Sequence, residues 1–346
     1  MSETPSLSVV IPVWNAGPFI EKSLKSALQF DEVSEVVFVE DASTDNSLEV
    51  LYDIEKRYPQ VRLFRHPDKK NHGAGASRSL GVQMATSEWI AFLDADDMFL
   101  PNRFEFERKT IFKKDDGTID GVYGEFGSHY LDSESEKDRD LVYTSVSGNA
   151  PSDELKYVLL NMHNKYNGYF HLGVTTLRKS LIHEIGYFAT NVEPNEDTDM
   201  SIKLAFAGKL VAGIIKEPVG SRGVHLNNRI NKVDFPHHLR LKEVLLLNWK
   251  SWLEEKFPNE ARALENIERE LATVQFINNN LGMSIGEAIS FFRKRPDVFF
   301  DMKKSELIIK AVLGRNALGS FITKLKEKIV LTFFKSKIQK YDLQVG

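Results

Sequence analysis

The first hundred residues repeat one pattern: a short apolar run, then a stretch with helical spacing. Leu7 to Val13 (LSVVIPV) is rich in β-branched residues, as a strand buried on both faces requires. Ile20, Leu24, Ala27 and Leu28 then recur at helical spacing, with Glu21, Lys22 and Lys25 on the other side. Val36–Val39 reads as a second strand, and Ser43 or Asp45 can cap a helix carrying Leu48, Leu51 and Ile54. Val61–Phe64, a helix over Gly73–Ala85 and a strand at Trp89–Leu93 continue the series. Such alternation with short connections specifies a parallel sheet covered by helices. Ligands of such sheets sit beyond the carboxyl ends of the strands, so the loops after Val13, Val39 and Leu93 are the places for chemistry.

The rest of the chain is less regular. Asp132–Asp140 (DSESEKDRD) is a solvated charged run. An apolar segment spans Tyr169–Leu177, and a helix over Lys179–Ile185 ends at Gly186. A second helix runs through Asp199–Phe206, and from Pro236 onward the pattern is helical. Two domains are expected, a catalytic one over residues 1–235 and a helical region over 236–346. The chain has no cysteine, which excludes disulfides, zinc–thiolate sites and thiol nucleophiles. A net charge of −4 gives no sign of a nucleic-acid partner. Without a signal-like N-terminus or an apolar run of about 18 residues, the expectation is a cytoplasmic protein.

Each strand-end loop admits two readings. In Pro12-Val13-Trp14-Asn15, Trp14 is either a core residue or an exposed ring placed to stack on a base. In Glu40-Asp41-Ala42-Ser43-Thr44-Asp45, Asp41 either joins a helix cap or accepts a hydrogen bond from a base or ribose. Asp94-Ala95-Asp96-Asp97 closes an apolar strand with three carboxylates. Extended backbone would put Asp94 and Asp96 on the same side, where oxygen ligands suit Mg²⁺ or Mn²⁺. The alternative is capping of a helix over Met98–Phe106, which needs one acid rather than three. Asn195-Glu196-Asp197-Thr198-Asp199 precedes a helix, and its acids either complement the dipole or include a general base. His225 is either a metal ligand or an ordinary surface histidine.

Together these loops closely resemble glycosyltransferase family 2, the inverting GT-A enzymes. The resemblance is carried by VVIPVWNAG, VVFVEDASTDNS, NHGAGASRSLG, WIAFLDADD, LRKSLIHEIGYF and NEDTDMSIKL, over roughly residues 6–230. It implies a Rossmann-like GT-A fold, an α/β nucleotide-diphospho-sugar transferase with a mixed, mostly parallel sheet flanked by helices, followed by the helical C-terminal region. It implies a donor site of Pro12, Trp14, Asn15, Glu40, Asp41, Arg78, Asp94 and Ala95, with a UDP-sugar as the expected donor. Trp14 stands where the family commonly has a tyrosine on uracil, Asp41 on the base-binding acid, and Arg78 on the arginine of the ARNxG pattern. Asp94 and Asp96 fall on the D-x-D motif, whose last acid binds Mn²⁺ or Mg²⁺; His225 falls near a histidine that some members add to the metal. Asp197 falls on the catalytic base, with Glu196 before it. Glu40, Ser79 and Trp14 depart from the commoner residues. The implied reaction moves a sugar to a hydroxyl of a glycan or lipid-linked acceptor in polysaccharide or glycolipid synthesis. A non-catalytic nucleotide-sugar binder and a metal-dependent phosphohydrolase are the rival readings. The phosphohydrolase reading suffers because its D-x-D belongs on a first strand, whereas here it ends the fourth.

Residues 303–340 carry ten basic side chains against Glu306 and Glu327, a balance of +8, with Phe321, Leu325, Ile329 and Phe333 at helical spacing. Such a helix either contacts an anionic membrane peripherally, at the inner face, or packs on the catalytic domain or on a second copy in a homo-oligomer.

Overall fold

The structure is a computed structural model that describes residues 6–113, 115–130, 146–224 and 235–279, with the single positions 290 and 294. The chain divides into two compact units, 1–266 and 267–346, and every element around the strand-end loops belongs to the first. Among the described residues no helix is long and apolar enough to cross a membrane. His225, the 132–140 charged run and the basic 303–340 stretch lie outside the described residues.

The expected alternation is present. β1 (Leu7–Val13), α1 (Ile20–Leu28), β2 (Val33–Glu40), α2 (Ser47–Arg57), β3 (Val61–Arg65), α3 (Gly73–Met84) and β4 (Trp89–Phe92) follow in order. β1 pairs in parallel with both β2 and β4, and β2 with β3. Successive side chains of β1 go to opposite faces, as strand geometry dictates. Val9 and Ile11 join the α1–α2 layer with Leu24 and Leu51, whereas Val10 joins the other layer with Val82. Both layers are apolar, which is why the strand sequences lack polar alternation.

The second half of the sheet is mixed. β5 (Met98–Phe99), α4 (Glu105–Lys109), β6 (Gly121–Tyr123), β7 (Glu125–Tyr130) and α5 (Ser152–Leu159) lead to a 3-10 turn at Leu172–Val174 and then to β8 (Thr175–Arg178). α6 (Lys179–Glu184), α7 (Glu196–Ala207), β9 (Leu210–Ala212), β10 (Pro218–Val224), α8 (Phe235–Lys256) and α9 (Ala261–Asn279) follow. The main sheet has the order β3-β2-β1-β4-β8-β6-β9, and β8 runs antiparallel to both β4 and β6. Alternation alone specified an all-parallel sheet; the reversal at β8 makes it mixed and mostly parallel. β5, β10 and β7 form a smaller sheet.

Three local expectations are corrected. α2 begins at Ser47 with Asn46 before it, so Ser43 and Asp45 do not occupy its N-cap. Asp45 instead accepts hydrogen bonds from the backbone N–H and hydroxyl of Ser47, and Ser43 accepts one from the N–H of Asn15. No helix starts at Met98: Met98–Phe99 is a strand paired with β10, so the capping account of the three acids has no helix to cap. Extended backbone does not reach Asp96 either, because β4 ends at Phe92 and the Asp97 N–H closes a turn onto the Asp94 carbonyl at 3.0 Å. Curvature, not strand alternation, gathers these carboxylates. Gly186, by contrast, does follow α6 with φ +90°, the left-handed end its sequence position suggested.

Candidate active site

The site is assembled around one buried arginine. Arg78 sits in α3 and is 6% exposed. One end of its guanidinium donates to Asp94 Oδ1 at 2.7 Å, the other to Glu196 Oε1 at 3.2 Å. These partners come from the β4 end and from the first turn of α7. Arg78 also lies 5.8 Å from the Phe188 ring centroid. Burial disfavours its charge, but Asp94, Glu196 and Asp197 outweigh that and raise its pKa. Two acid clusters about a hundred positions apart are therefore tied through one cation.

Close approach makes this geometry feasible. A Cβ on Gly75 would lie 3.1 Å from Glu196 Cγ, so a larger residue there would have to push the Glu196 side chain aside by a few tenths of an ångström. Ser79 supports the same junction, donating its hydroxyl to the Gly75 carbonyl and accepting the Phe188 N–H. The departure from the family's usual residue thus keeps a polar function at this position.

The D-x-D turn concentrates negative charge. Asp94 and Asp96 are half-buried and Asp97 is buried. Burial, then Asp96 and Asp94, push the Asp97 carboxyl well above the usual range, opposed by the Gly223 N–H at 2.9 Å. The bond from Gly223 also fixes β10 to the turn. Ala95 is buried between the acids. Such a crowd of oxygen donors is what a divalent ion relieves, so the residues present fit Mn²⁺ or Mg²⁺. No group of three His, Asp or Glu that could hold a metal alone exists among the described residues.

The β1 and β2 ends form the other flank. Trp14 is 51% exposed, which removes the core reading. Asn15 adopts φ +51°, and its Oδ1 accepts from the N–H groups of Thr44 and Asp45, locking the two loops together. Pro12 is half-buried in β1. Glu40 pairs with Arg65 at 2.7 Å and accepts the Ser43 N–H, so the longer acid is engaged within the protein. Asp41 is buried and accepts the N–H groups of His72 and Gly73 at 2.7 and 2.9 Å. Gly73 has φ +84°, a conformation favouring glycine, and so turns the start of α3 toward Asp41.

Asp197 follows Glu196 in the first turn of α7 and is half-buried, accessible from solvent. The helix is anchored behind it. Asp199, fully buried, accepts from Lys203 Nζ at 2.7 Å and from Trp249 Nε1 of α8 at 3.1 Å.

Sequence reasoning missed His66, His72 and His171. His66 Nε2 lies 3.6 Å from Asp41, and the His66 and His72 rings are 4.4 Å apart. Burial lowers the His171 pKa, opposed by Asp94 and Asp197. Single histidines without metal-ligand spacing gave no signal in the sequence.

The model of the family "Glycosyl transferase family 2" matches residues 8–188, more than half of the 346. The uncharacterized glycosyltransferase YibD of Escherichia coli K12 is 38% identical over 106 residues, 30% of this chain and 30% of YibD. The putative glycosyltransferase EpsH of Bacillus subtilis is 27% identical over 289 residues, 81% of this chain and 77% of EpsH. The chain spans about a third of the length of the first curated relatives it matches. Among solved structures, S. aureus TarS 1–349 in complex with UDP-GlcNAc aligns with a TM-score of 0.57 at 16% identity, covering 78% of this chain and 72% of that one. The Pyrobaculum calidifontis mannosyltransferase PcManGT, in complex with GDP-Man and Mn²⁺, covers 90% and 86% at a TM-score of 0.50 and 16% identity. With a fold shared with these structures and a family match across the strand-end loops, the chain belongs to glycosyltransferase family 2.

Proposed function

We propose that the protein transfers a sugar from a nucleoside diphosphate donor, a UDP-sugar, to an acceptor hydroxyl with inversion at the anomeric carbon. The observation that carries this reading is the Arg78 bridge, which holds the D-x-D turn and the Glu196-Asp197 turn in one charged centre. A centre built only to bind a donor has no need of the second acid cluster.

In this reading Trp14 offers a ring to the base, and Asp41, with its carboxylate fixed by two N–H groups, meets the base or ribose. Asp94, oriented by Arg78, faces the ribose. Asp96, with His225, would hold Mn²⁺ or Mg²⁺, which supplies Lewis-acid stabilisation to the departing diphosphate. Asp197 takes the proton from the attacking hydroxyl as its oxygen bonds to the anomeric carbon. The bond from that carbon to the diphosphate oxygen breaks, and its electron pair leaves with the nucleotide. Glu196 is a positioning residue, buried and bonded to Arg78.

TarS bound to UDP-GlcNAc and UDP supports a UDP-type donor, and PcManGT supports a divalent ion. Polysaccharide or glycolipid synthesis is the expected setting. The proposed division keeps the catalytic domain at 1–235 and gives the helical remainder acceptor, membrane or oligomer contacts. The test is Asp197→Asn: UDP affinity stays within about twofold, while turnover falls by roughly 10²–10⁴. Near-normal turnover would remove Asp197 from the role of base.

A further inference from the structure

Along the carboxyl edge of the main sheet the strand ends follow the order β3, β2, β1, β4. At or just beyond their last residues they carry Arg65, Glu40-Asp41, Trp14 and the D-x-D turn. Neighbouring strands lie about 4.8 Å apart, so the end of β3 stands three spacings, about 14 Å, from the end of β4. A diphosphate at the D-x-D turn therefore leaves the β2 and β3 ends to the other end of a nucleotide.

Arg65 closes β3 and lies beside Glu40 in the parallel register. Its Nε donates to Glu40 Oε2 at 2.7 Å. The other Glu40 oxygen accepts the Ser43 N–H, and Ser43 Oγ accepts the Asn15 N–H at 3.0 Å. A short run of hydrogen bonds thus ties the guanidinium to the loop that carries Trp14. The extra methylene of Glu40 over an aspartate extends the acid toward Arg65. The Glu40 side chain is fully buried, whereas that of Arg65 is 26% exposed. A guanidinium has five N–H donors, and Glu40 takes one of them. Nη1 and Nη2 have no hydrogen-bond partner among the described residues. Donors of a charged group, left over and open to solvent, stand at the strand end next to Asp41.

The edge of a uracil ring presents an N–H flanked by two carbonyls. Such an edge requires one acceptor with a donor beside it. Asp41 offers the acceptor, Arg65 the donor, and Trp14 a face for the ring. We propose that Arg65 reads the nucleobase: its Nη groups donate to a ring carbonyl adjoining the N–H that Asp41 accepts. Glu40 is its positioning residue. This assignment rests on the transferase reading with its UDP donor, and adds the residue that recognises the base.

The test is calorimetric titration of the full chain, in Mn²⁺, with UDP, 2-thio-UDP and 4-thio-UDP. Sulfur is the weaker acceptor, so each analogue weakens one ring carbonyl. Removing Arg65 alone would strand the buried Glu40 charge, so the variant combines Glu40→Gln with Arg65→Met. The wild type is expected to bind one analogue roughly tenfold more weakly than UDP. The double variant binds UDP itself roughly tenfold more weakly than wild type, and takes that analogue within about twofold of UDP. A purely structural role for Arg65 would lower all three affinities together and keep the wild-type ratio, which overturns the proposal. Equal binding of all three by the wild type overturns it as well. If UDP does not bind the wild type, the donor reading falls and the assignment with it, a result distinct from the other two.

Discussion

Removing Arg78 tests whether one cation holds the centre together. In Arg78→Ala, Glu196 keeps a side chain only 4% exposed, while Asp94 at 33% retains some water. Breaking a buried ion pair costs about 3–5 kcal/mol because a charge is left uncompensated. Half-exposure of Asp94 puts this case at the lower end, about 3 kcal/mol. For a unit of this size each kcal/mol moves the melting temperature by about 2–4 °C, so the variant should melt roughly 6–12 °C lower at pH 7.5. The deficit should also depend on pH in a defined direction. Without the guanidinium, the ionised carboxylates of Glu196 and Asp94 lose the positive charge that favours them, so protonation costs the folded variant less than the wild type. The folded variant then binds the proton more tightly, and acid restores stability. Calorimetric melts of both proteins between pH 8 and pH 5 should show the gap narrowing as pH falls. A variant melting within about 2 °C of wild type at pH 7.5 would refute the argument, as would a gap that widens toward acid.

Other consequences follow from the same contacts. Burial alone would raise the Glu35 carboxyl, but hydrogen bonds from Ser8, Thr86 and Arg62 bring it down to about 2. That pKa is depressed from 4.5, so its stabilisation is present above about pH 4.5 and is lost as pH falls toward 2. Glu35→Gln should flatten the acid limb of a stability–pH curve over that window, and an unchanged limb would discount the network. Trp249→Phe removes the indole donor to buried Asp199 and should cost about 1–3 kcal/mol in urea unfolding; an unchanged midpoint would show that Lys203 suffices. Trp14→Ala should weaken UDP binding by about tenfold, read by calorimetry, while leaving the melting temperature near wild type, because the ring is 51% exposed. Equal affinity would take Trp14 out of the base site.

How much of this was readable depended on how local each feature is. β1, β2 and β4 were legible because buried strands carry apolar runs, β3 from Val61, Leu63 and Phe64 beside two arginines at the sheet edge, and α1 and α2 because their repeats are helical. The reversal at β8 was not, since Thr175–Arg178 carries no mark of direction and its partners lie far off in sequence. The smaller sheet was also invisible: β5 has two residues, and β7 and β10 carry glycines and polar residues rather than alternation. In the site, the acids of the D-x-D and Glu196-Asp197 turns stood out by their density. The capping account of Asp94–Asp97 fails on the strand at Met98, which no short-range signal announces. The Arg78–Glu196 pair spans 118 positions, and nothing in the sequence links the two residues. His171 carries no spacing signal either, and only the fold lays its ring on Phe126, far off in sequence.

The central claim is a metal-dependent nucleoside diphosphate site made by Trp14, Asp41 and the D-x-D turn. Calorimetric titration with UDP, GDP and CDP, each with Mn²⁺ and again with EDTA, tests it most directly, with Asp96→Ala as the matched variant. The account predicts that UDP binds, that EDTA weakens it by tenfold or more, and that Asp96→Ala binds UDP equally with and without Mn²⁺. A folded wild type that binds none of the three, or binds UDP equally in Mn²⁺ and EDTA, would contradict it.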